Sequence, residues 1–233
     1  MKWIMLLISP SEVWEGLKDT NWFVIPILVG LVSAFCSFYI TVDPNVMYLK
    51  AETIVRLSRD NFFSLPEGEG IIKLAVTLGF ILLPLWYIVR TVVSSMIARR
   101  ILRDIDYKKF LLIFSLSLLP LVPLRLIILY FIRIKGLGNL VDPRDLNLTL
   151  SPVLFYALNR DILKNDILYT FLREISLENI WSMLVFASLS SSEGIDVRRS
   201  IIVFLVTLII IRILEILWEN HSYNIIWFLL VGG

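Results

Sequence analysis

The sequence contains no glutamine, one cysteine and one histidine in 233 residues. A lone thiol, Cys36, excludes an intramolecular disulfide and says nothing about redox compartment. One Cys and one His cannot build a His/Cys metal cluster, and they leave no candidate Cys–His dyad. A Ser–His–Asp triad would have to draw on His221, in a polar turn after the last apolar run. No glycine-rich phosphate loop is present. The net charge of +2 is too small to argue for nucleic acid. Catalysis, metal binding and a cofactor are therefore not expected. The missing Gln and scarce Cys also match a thermophile's avoidance of labile side chains.

What the chain has is apolar residues. They make up 58% of it, with a mean hydropathy of +0.80, against roughly 45–50% in soluble domains. This composition predicts an all-α, polytopic membrane helical bundle. A span needs about 20 mostly apolar residues. Four runs come close or exceed that: 22–40, 74–98, 110–132 and 201–218. A fifth, 177–192, is shorter and more polar, and is counted because the flanking charges require it. The loop "RRILRDIDYKK" holds Arg99, Arg100, Arg103, Lys108 and Lys109; Arg198 and Arg199 precede the last run, and Lys2 and Lys18 precede the first. With five transmembrane helices all three groups fall on one side, which the positive-inside rule makes cytoplasmic. Residues 1–21 then form a cytoplasmic lead-in and 22–233 the transmembrane domain, with the C-terminus and segments 41–70 and 134–176 outside. Apolar positions in 134–176 interleave with charges and suit short interfacial helices. The triplets Asn147-Leu148-Thr149 and Asn220-His221-Ser222 match the glycosylation acceptor pattern. The end, "YNIIWFLLVGG", is too short to span and is expected to extend the last helix after a break at 220–224, or to lie in the interface.

The stretch "ISPSEVWEGL" is too short and lacks the cleavage site of a secretory signal. It reads as a helix start. Ser9 is an N-cap candidate, Pro10 takes the first helical position and Glu12 completes a capping box, with Ile8 and Val13 placed as a hydrophobic staple. Val13, Trp14 and Leu17 share a face, so an interfacial amphipathic helix on the cytoplasmic surface is expected, with Trp3, Trp14 and Trp22 at headgroup level. Ser176 is likewise placed to cap the fourth span.

Charges inside apolar helices carry the chemistry. Arg90, Arg125, Arg212 and Glu215 each interrupt a span, and such groups usually face protein or water. Arg212 and Glu215 are three apart on one helix face and can pair. Arg125 and Arg212 lie about two-thirds across their spans from the cytoplasmic side. An intramembrane polar cluster of Arg125, Arg212 and Glu215, with Arg90, is expected between spans three and five. Either these arginines snorkel and neutralise one another, or they hold an anionic headgroup or solute. The basic patch Arg99, Arg100, Arg103, Lys108 and Lys109 fixes topology and touches acidic lipid, at about 1 kcal/mol per residue. Pro84, Pro120 and Pro123 free backbone carbonyls, for which Ser94, Ser95, Ser115, Ser117 and Thr77 are candidate donors.

Three blocks resemble the Yip family of small membrane proteins (Ypt/Rab-interacting proteins and their prokaryotic relatives). "LLISPSEVWEGLKDTNWFVIPILVGLV" has that family's Ser-Pro, acidic amphipathic turn and Pro early in the first span. "YKKFLLIFSLSLLPLVPL" resembles its third-span entry, with Pro120 at mid-helix. "LREISLENIWSMLVFASLSSSEGIDVRRSIIVFLVTLII" resembles its last pair of spans, with Ser176, Glu178 and Ser188 where an acid, an aromatic and a Gly are usual. The resemblance implies five transmembrane helices and a non-enzymatic role in membrane organisation or trafficking-like scaffolding, through membrane-protein partners or a homo-oligomer. Relatives that engage small GTPases carry a long cytosolic N-terminal region. The short lead-in here disfavours that and favours a prokaryotic, cell-membrane member. A small-solute or lipid carrier using the Arg/Glu cluster, and an accessory subunit of a membrane complex, are the alternatives. Membrane lipids, anionic ones included, are the expected ligands.

Overall fold

The computed structural model describes residues 2–41, 68–102, 106–135 and 175–231. Most of the expected outer segments, Arg103 and Asn147 lie outside the described residues, as do the side chains of Trp3, Asn220 and His221. Among the described residues every regular element is helical. In chain order these are α1 (Lys2–Ile8), α2 (Pro10–Val13) running into a 3-10 turn (Trp14–Gly16), α3 (Val24–Thr41), α4 (Gly68–Ile101), α5 (Tyr107–Ser117), α6 (Leu121–Lys135), α7 (Leu177–Ser192) and α8 (Val197–Val231). Two stretches, Thr77–Ile101 and Tyr107–Phe131, are long and apolar enough to cross a membrane, and Val24–Tyr39 is a shorter apolar helix.

Pairs between helices give their directions. Lys109–Glu193, Phe114–Phe186 and Arg125–Glu178 descend one chain as they ascend the other, so α5–α6 and α7 run antiparallel. Phe38 meets Phe80 in the same antiparallel sense across α3 and α4, whereas Trp22–Ser115 and Cys36–Arg125 place α3 parallel to α5–α6. At one end of the bundle Phe114, Phe186 and Phe204, from α5, α7 and α8, fill the centre with ring centroids 4.5–6.4 Å apart. Aromatic contacts of this kind add roughly 0.5–1.5 kcal/mol each beyond area burial. Gly30 lets α3 approach α4 at the one place where α4 carries a proline. A Cβ there would run into the backbone of Leu83 and Pro84.

Several sequence expectations are corrected. The third apolar run is not one helix with a proline at its middle: α5 ends at Ser117, the chain turns through Leu118–Pro120, and α6 begins at Leu121. The carbonyls that Pro120 and Pro123 free, on Leu116 and Leu119, accept instead from Leu119 N and Val122 N, both at 3.1 Å. Tightening to 3-10 bonds satisfies them locally. The hydroxyls of Ser115, Ser117 and Ser95 go elsewhere, to the carbonyls of Trp22, Phe114 and Thr91. The capping box does not form. Ser9 occupies the N-cap with Pro10 after it, but makes no side-chain cap bond. Its N–H already donates to Met5 O at 2.7 Å, closing α1, so the donor that Glu12 would have served is taken. Ile8 points outward at 73% exposure while Val13 packs on the core, leaving little to staple. At the far end α8 runs unbroken through 220–224; Asn, His and Ser are poor helix formers but not breakers.

The lead-in segment packs on the bundle. Leu6, Trp14 and Leu17 are buried, Trp14 to 1% exposure. Trp181 Nε1 donates to Leu7 O at 3.0 Å, and Trp14 Nε1 donates to Glu193 Oε1 at 2.7 Å. Positions 181 and 193 are about 18 Å apart along α7 at 1.5 Å per residue, so the segment runs along the flank of that helix. Part of its apolar surface thus has a protein partner, while Ile4, Met5 and Ile8 stay exposed.

Candidate functional site

Two polar clusters stand at different levels of the bundle. The first is at the end shared by the N-terminal segment, the start of α5 and the α7–α8 turn. Gly194 has φ +85 in that turn, a conformation that a glycine adopts without a Cβ penalty. Asp196 then caps α8, accepting from Arg198 N at 3.0 Å and Arg199 N at 3.2 Å. This tight turn presents Glu193 to Trp14 Nε1, to Lys109 Nζ at 2.5 Å and to Lys18 Nζ at 3.7 Å. Burial pushes the Glu193 carboxyl up, but the hydrogen bonds from Lys109 and Trp14, with the charges of Lys109 and Lys18, outweigh it and hold the group below its ordinary value. Around this clamp Arg99, Arg100, Lys108, Arg198 and Arg199 are exposed, and the Arg99 guanidinium lies over the Tyr107 ring. Of the expected basic patch, Lys109 is thus committed to Glu193.

The second cluster is a polar layer toward the opposite end. Arg212 Nη1 donates to Glu215 Oε2 at 3.1 Å, and Arg90 Nη1 stands 4.0 Å from Glu215 Oε1. One carboxylate therefore serves two guanidiniums. The expected third member, Arg125, is not joined to Glu215 by any ion pair among the described residues. The reason is packing: α6, which carries Arg125, lies on α3 and α7, whereas α8 lies on α4 and α7. Arg125 faces the Tyr87 hydroxyl and the carboxylate of Glu178 instead, with Cys36 Sγ against its backbone carbonyl. Tyr87 also lies beside Arg90 and Ser33, which links the two halves of the layer.

Glu178 belongs to the first turn of α7, directly after the N-cap. Ser176 caps that helix as its position suggests, accepting from Asn179 N at 3.2 Å. The Glu178 side chain is turned inward, 3% exposed, and neither oxygen accepts a hydrogen bond among the described residues. Arg125 Nε is likewise buried without a hydrogen-bond partner among the described residues. The sequence reading missed Glu178 and Glu193. The available signals were a carboxylate in the first turn of an apolar helix and an acid beside the glycine of a four-residue turn.

No group of three or more His, Cys, Asp and Glu is placed to hold a metal ion among the described residues. Comparison of the chain with family models, with characterised proteins and with solved structures finds no match.

Proposed function

We propose that this protein is an integral membrane protein of the Yip type, crossing the bilayer five times, with the Glu193 clamp and the N-terminal segment at the cytoplasmic face and α8 ending outside. Its role is membrane organisation through helix contacts rather than catalysis. The observation that carries this reading is the outer surface of the rods. Ile202, Leu205, Val206, Ile209 and Ile213 expose one apolar stripe of α8, and Leu78, Ile81, Leu82, Leu85 and Val89 do the same on α4. Patches of that extent have to be covered by lipid or partner helices. The aromatic trio closes the centre of the bundle at one end, which favours a scaffold over a channel. Exposed Arg99, Arg100, Arg198 and Arg199 at one end fit the positive-inside rule.

The topology is tested with single cysteines in a Cys36→Ser background. In intact cells a membrane-impermeant maleimide should label Ser64→Cys and Gly233→Cys and spare Ser192→Cys. Labelling of Ser64→Cys and Ser192→Cys without Gly233→Cys overturns five passes. For the scaffold role, a photo-crosslinker at Ile209 or Leu82 should trap a discrete protein adduct, a second copy or another membrane protein. Adducts to lipid alone overturn it. A second reading, lipid or solute handling, is favoured by Arg125 Nε and the two Glu178 oxygens, which are buried without a hydrogen-bond partner among the described residues.

A further inference from the structure

We propose that Arg125 and Glu178 form the two halves of a site for a zwitterion: an anionic group on the Arg125 guanidinium, joined by a short linker to a primary ammonium on the Glu178 carboxylate. This deepens the lipid-handling reading and rests on the bundle being embedded in a membrane. Three features of the layer lead there.

The first is the uneven pairing of charge. Glu215 has Arg90 and Arg212, at 4.0 and 3.1 Å. Glu178 and Arg125 attract one another, and Arg125 Nε and both Glu178 oxygens are buried with no hydrogen-bond partner among the described residues, although the Arg125 guanidinium also meets the Tyr87 hydroxyl. A buried carboxylate without donors is costly, because it gives up its hydration and receives nothing for it. The second is complementarity. A purely anionic guest would satisfy Arg125 but meet Glu178 as a like charge. A purely cationic guest would have the reverse difficulty. A guest carrying both charges satisfies the two groups together, and its ammonium hydrogens supply the donors that both Glu178 oxygens lack. The third is position. Glu178 is in the first turn of α7, at the end of that helix away from the Glu193 clamp, and Arg125 stands level with it on α6. The pair is thus near one end of the bundle and not at its centre.

The chemistry has two sources. One is the headgroup of a phosphatidylethanolamine, with its phosphodiester on Arg125 and its primary ammonium on Glu178. The other is a free zwitterion of the same kind, such as phosphoethanolamine.

The test is native mass spectrometry of the full chain from mild detergent, after exchange into equal mole fractions of three phospholipids with matched acyl chains. Phosphatidylethanolamine should be retained about tenfold over phosphatidylcholine, whose trimethylammonium has no N–H to donate, and over phosphatidylglycerol, which has no ammonium. Tenfold corresponds to about 1.4 kcal/mol. Glu178→Gln should abolish the preference over phosphatidylcholine, and Arg125→Gln should weaken retention of all three. Displacement of the lipid by free phosphoethanolamine assigns the site to a soluble zwitterion, and resistance to it assigns the site to the lipid. Equal retention of ethanolamine and choline lipids by the wild-type chain overturns the proposal, even if a variant does not fold, and leaves the membrane reading standing. If the chain retains no phospholipid and phosphoethanolamine does not raise its melting temperature, the site proposal fails. If it is also released from membranes by alkaline carbonate, the membrane reading fails with it.

Discussion

Glu193 and Glu178 stand at opposite ends of α7 and are treated in opposite ways. Glu193 is the C-cap residue, where the helix dipole opposes a negative charge; Glu178 is in the first turn, where the dipole favours one. Yet it is Glu193 that gathers partners, an indole N–H and two ammonium groups from the N-terminal segment and α5, while Glu178 has no hydrogen bond among the described residues. The local helix field therefore does not decide which carboxylate is anchored. Glu193 is held because chain segments far apart in sequence converge on one turn, and that convergence pins the N-terminus to the bundle. Glu178 is left with its oxygens unbonded in an otherwise well-packed interior.

The sharpest way to break this comparison is to remove the residue that the clamp encloses. Trp14 is almost fully buried and ties the lead-in segment to α7 and the α7–α8 turn. Trp14→Ala should cost about 3–5 kcal/mol, read as a fall in melting temperature by circular dichroism in mild detergent. It should also make the bond after Lys18 accessible to trypsin in the otherwise folded chain. A loss below about 1 kcal/mol would mean that the segment lies on the bundle without stabilising it.

A smaller effect isolates the charge. Glu193→Gln keeps the shape and loses the charge-assisted bonds, which are discounted here because the Lys109 side chain is about half exposed. A loss of about 1 kcal/mol is expected at neutral pH. The sign with pH follows from the depressed carboxyl. A carboxylate whose folded value lies below its unfolded one adds stability that is present above the unfolded value and lost as pH falls through the folded one. The gap between wild type and Glu193→Gln should therefore begin to close below about pH 4.3, the ordinary glutamate value, and vanish in stronger acid. A gap that stays constant from pH 7 to pH 3 would show that the clamp works by packing alone.

Part of this was legible in the sequence, and the boundary has a physical cause. Features decided within one helix were readable: the limits of α7, the Ser176 cap, and the Arg212–Glu215 pair three residues apart. Features that need a partner from another helix were not. Trp14 is 179 residues from Glu193, and a tryptophan beside a span looks the same whether it faces headgroups or protein. The capping box failed because Lys2–Ile8 coiled into a helix of its own and took the Ser9 N–H. Arg125 was assigned to the wrong carboxylate because its depth was readable from the chain but its neighbours were not. Depth places groups in a layer, and only the packing of α6 on α3 and α7 decides which of them meet.

The smallest expected effect is the one that most sharpens the comparison. Glu178→Gln removes a charge that takes part in no hydrogen bond among the described residues, so no such bond is lost with it. What it does lose is long-range attraction to Arg125 and a favourable helix-dipole interaction of about 0.3–1 kcal/mol. What it regains is the desolvation of an unpaired carboxylate, and replacing buried charge with a neutral group of similar volume is often neutral or stabilising. The two nearly cancel, and a change within about 1 kcal/mol of zero is expected for the delipidated protein, measured in the same melting experiment as Glu193→Gln. With lipid present, the wild type should gain stability that the variant does not, because only the wild type keeps a carboxylate for a guest to bind. A large loss in the delipidated protein would instead make Glu178 a structural residue like Glu193, and the difference between the two ends of α7 would disappear.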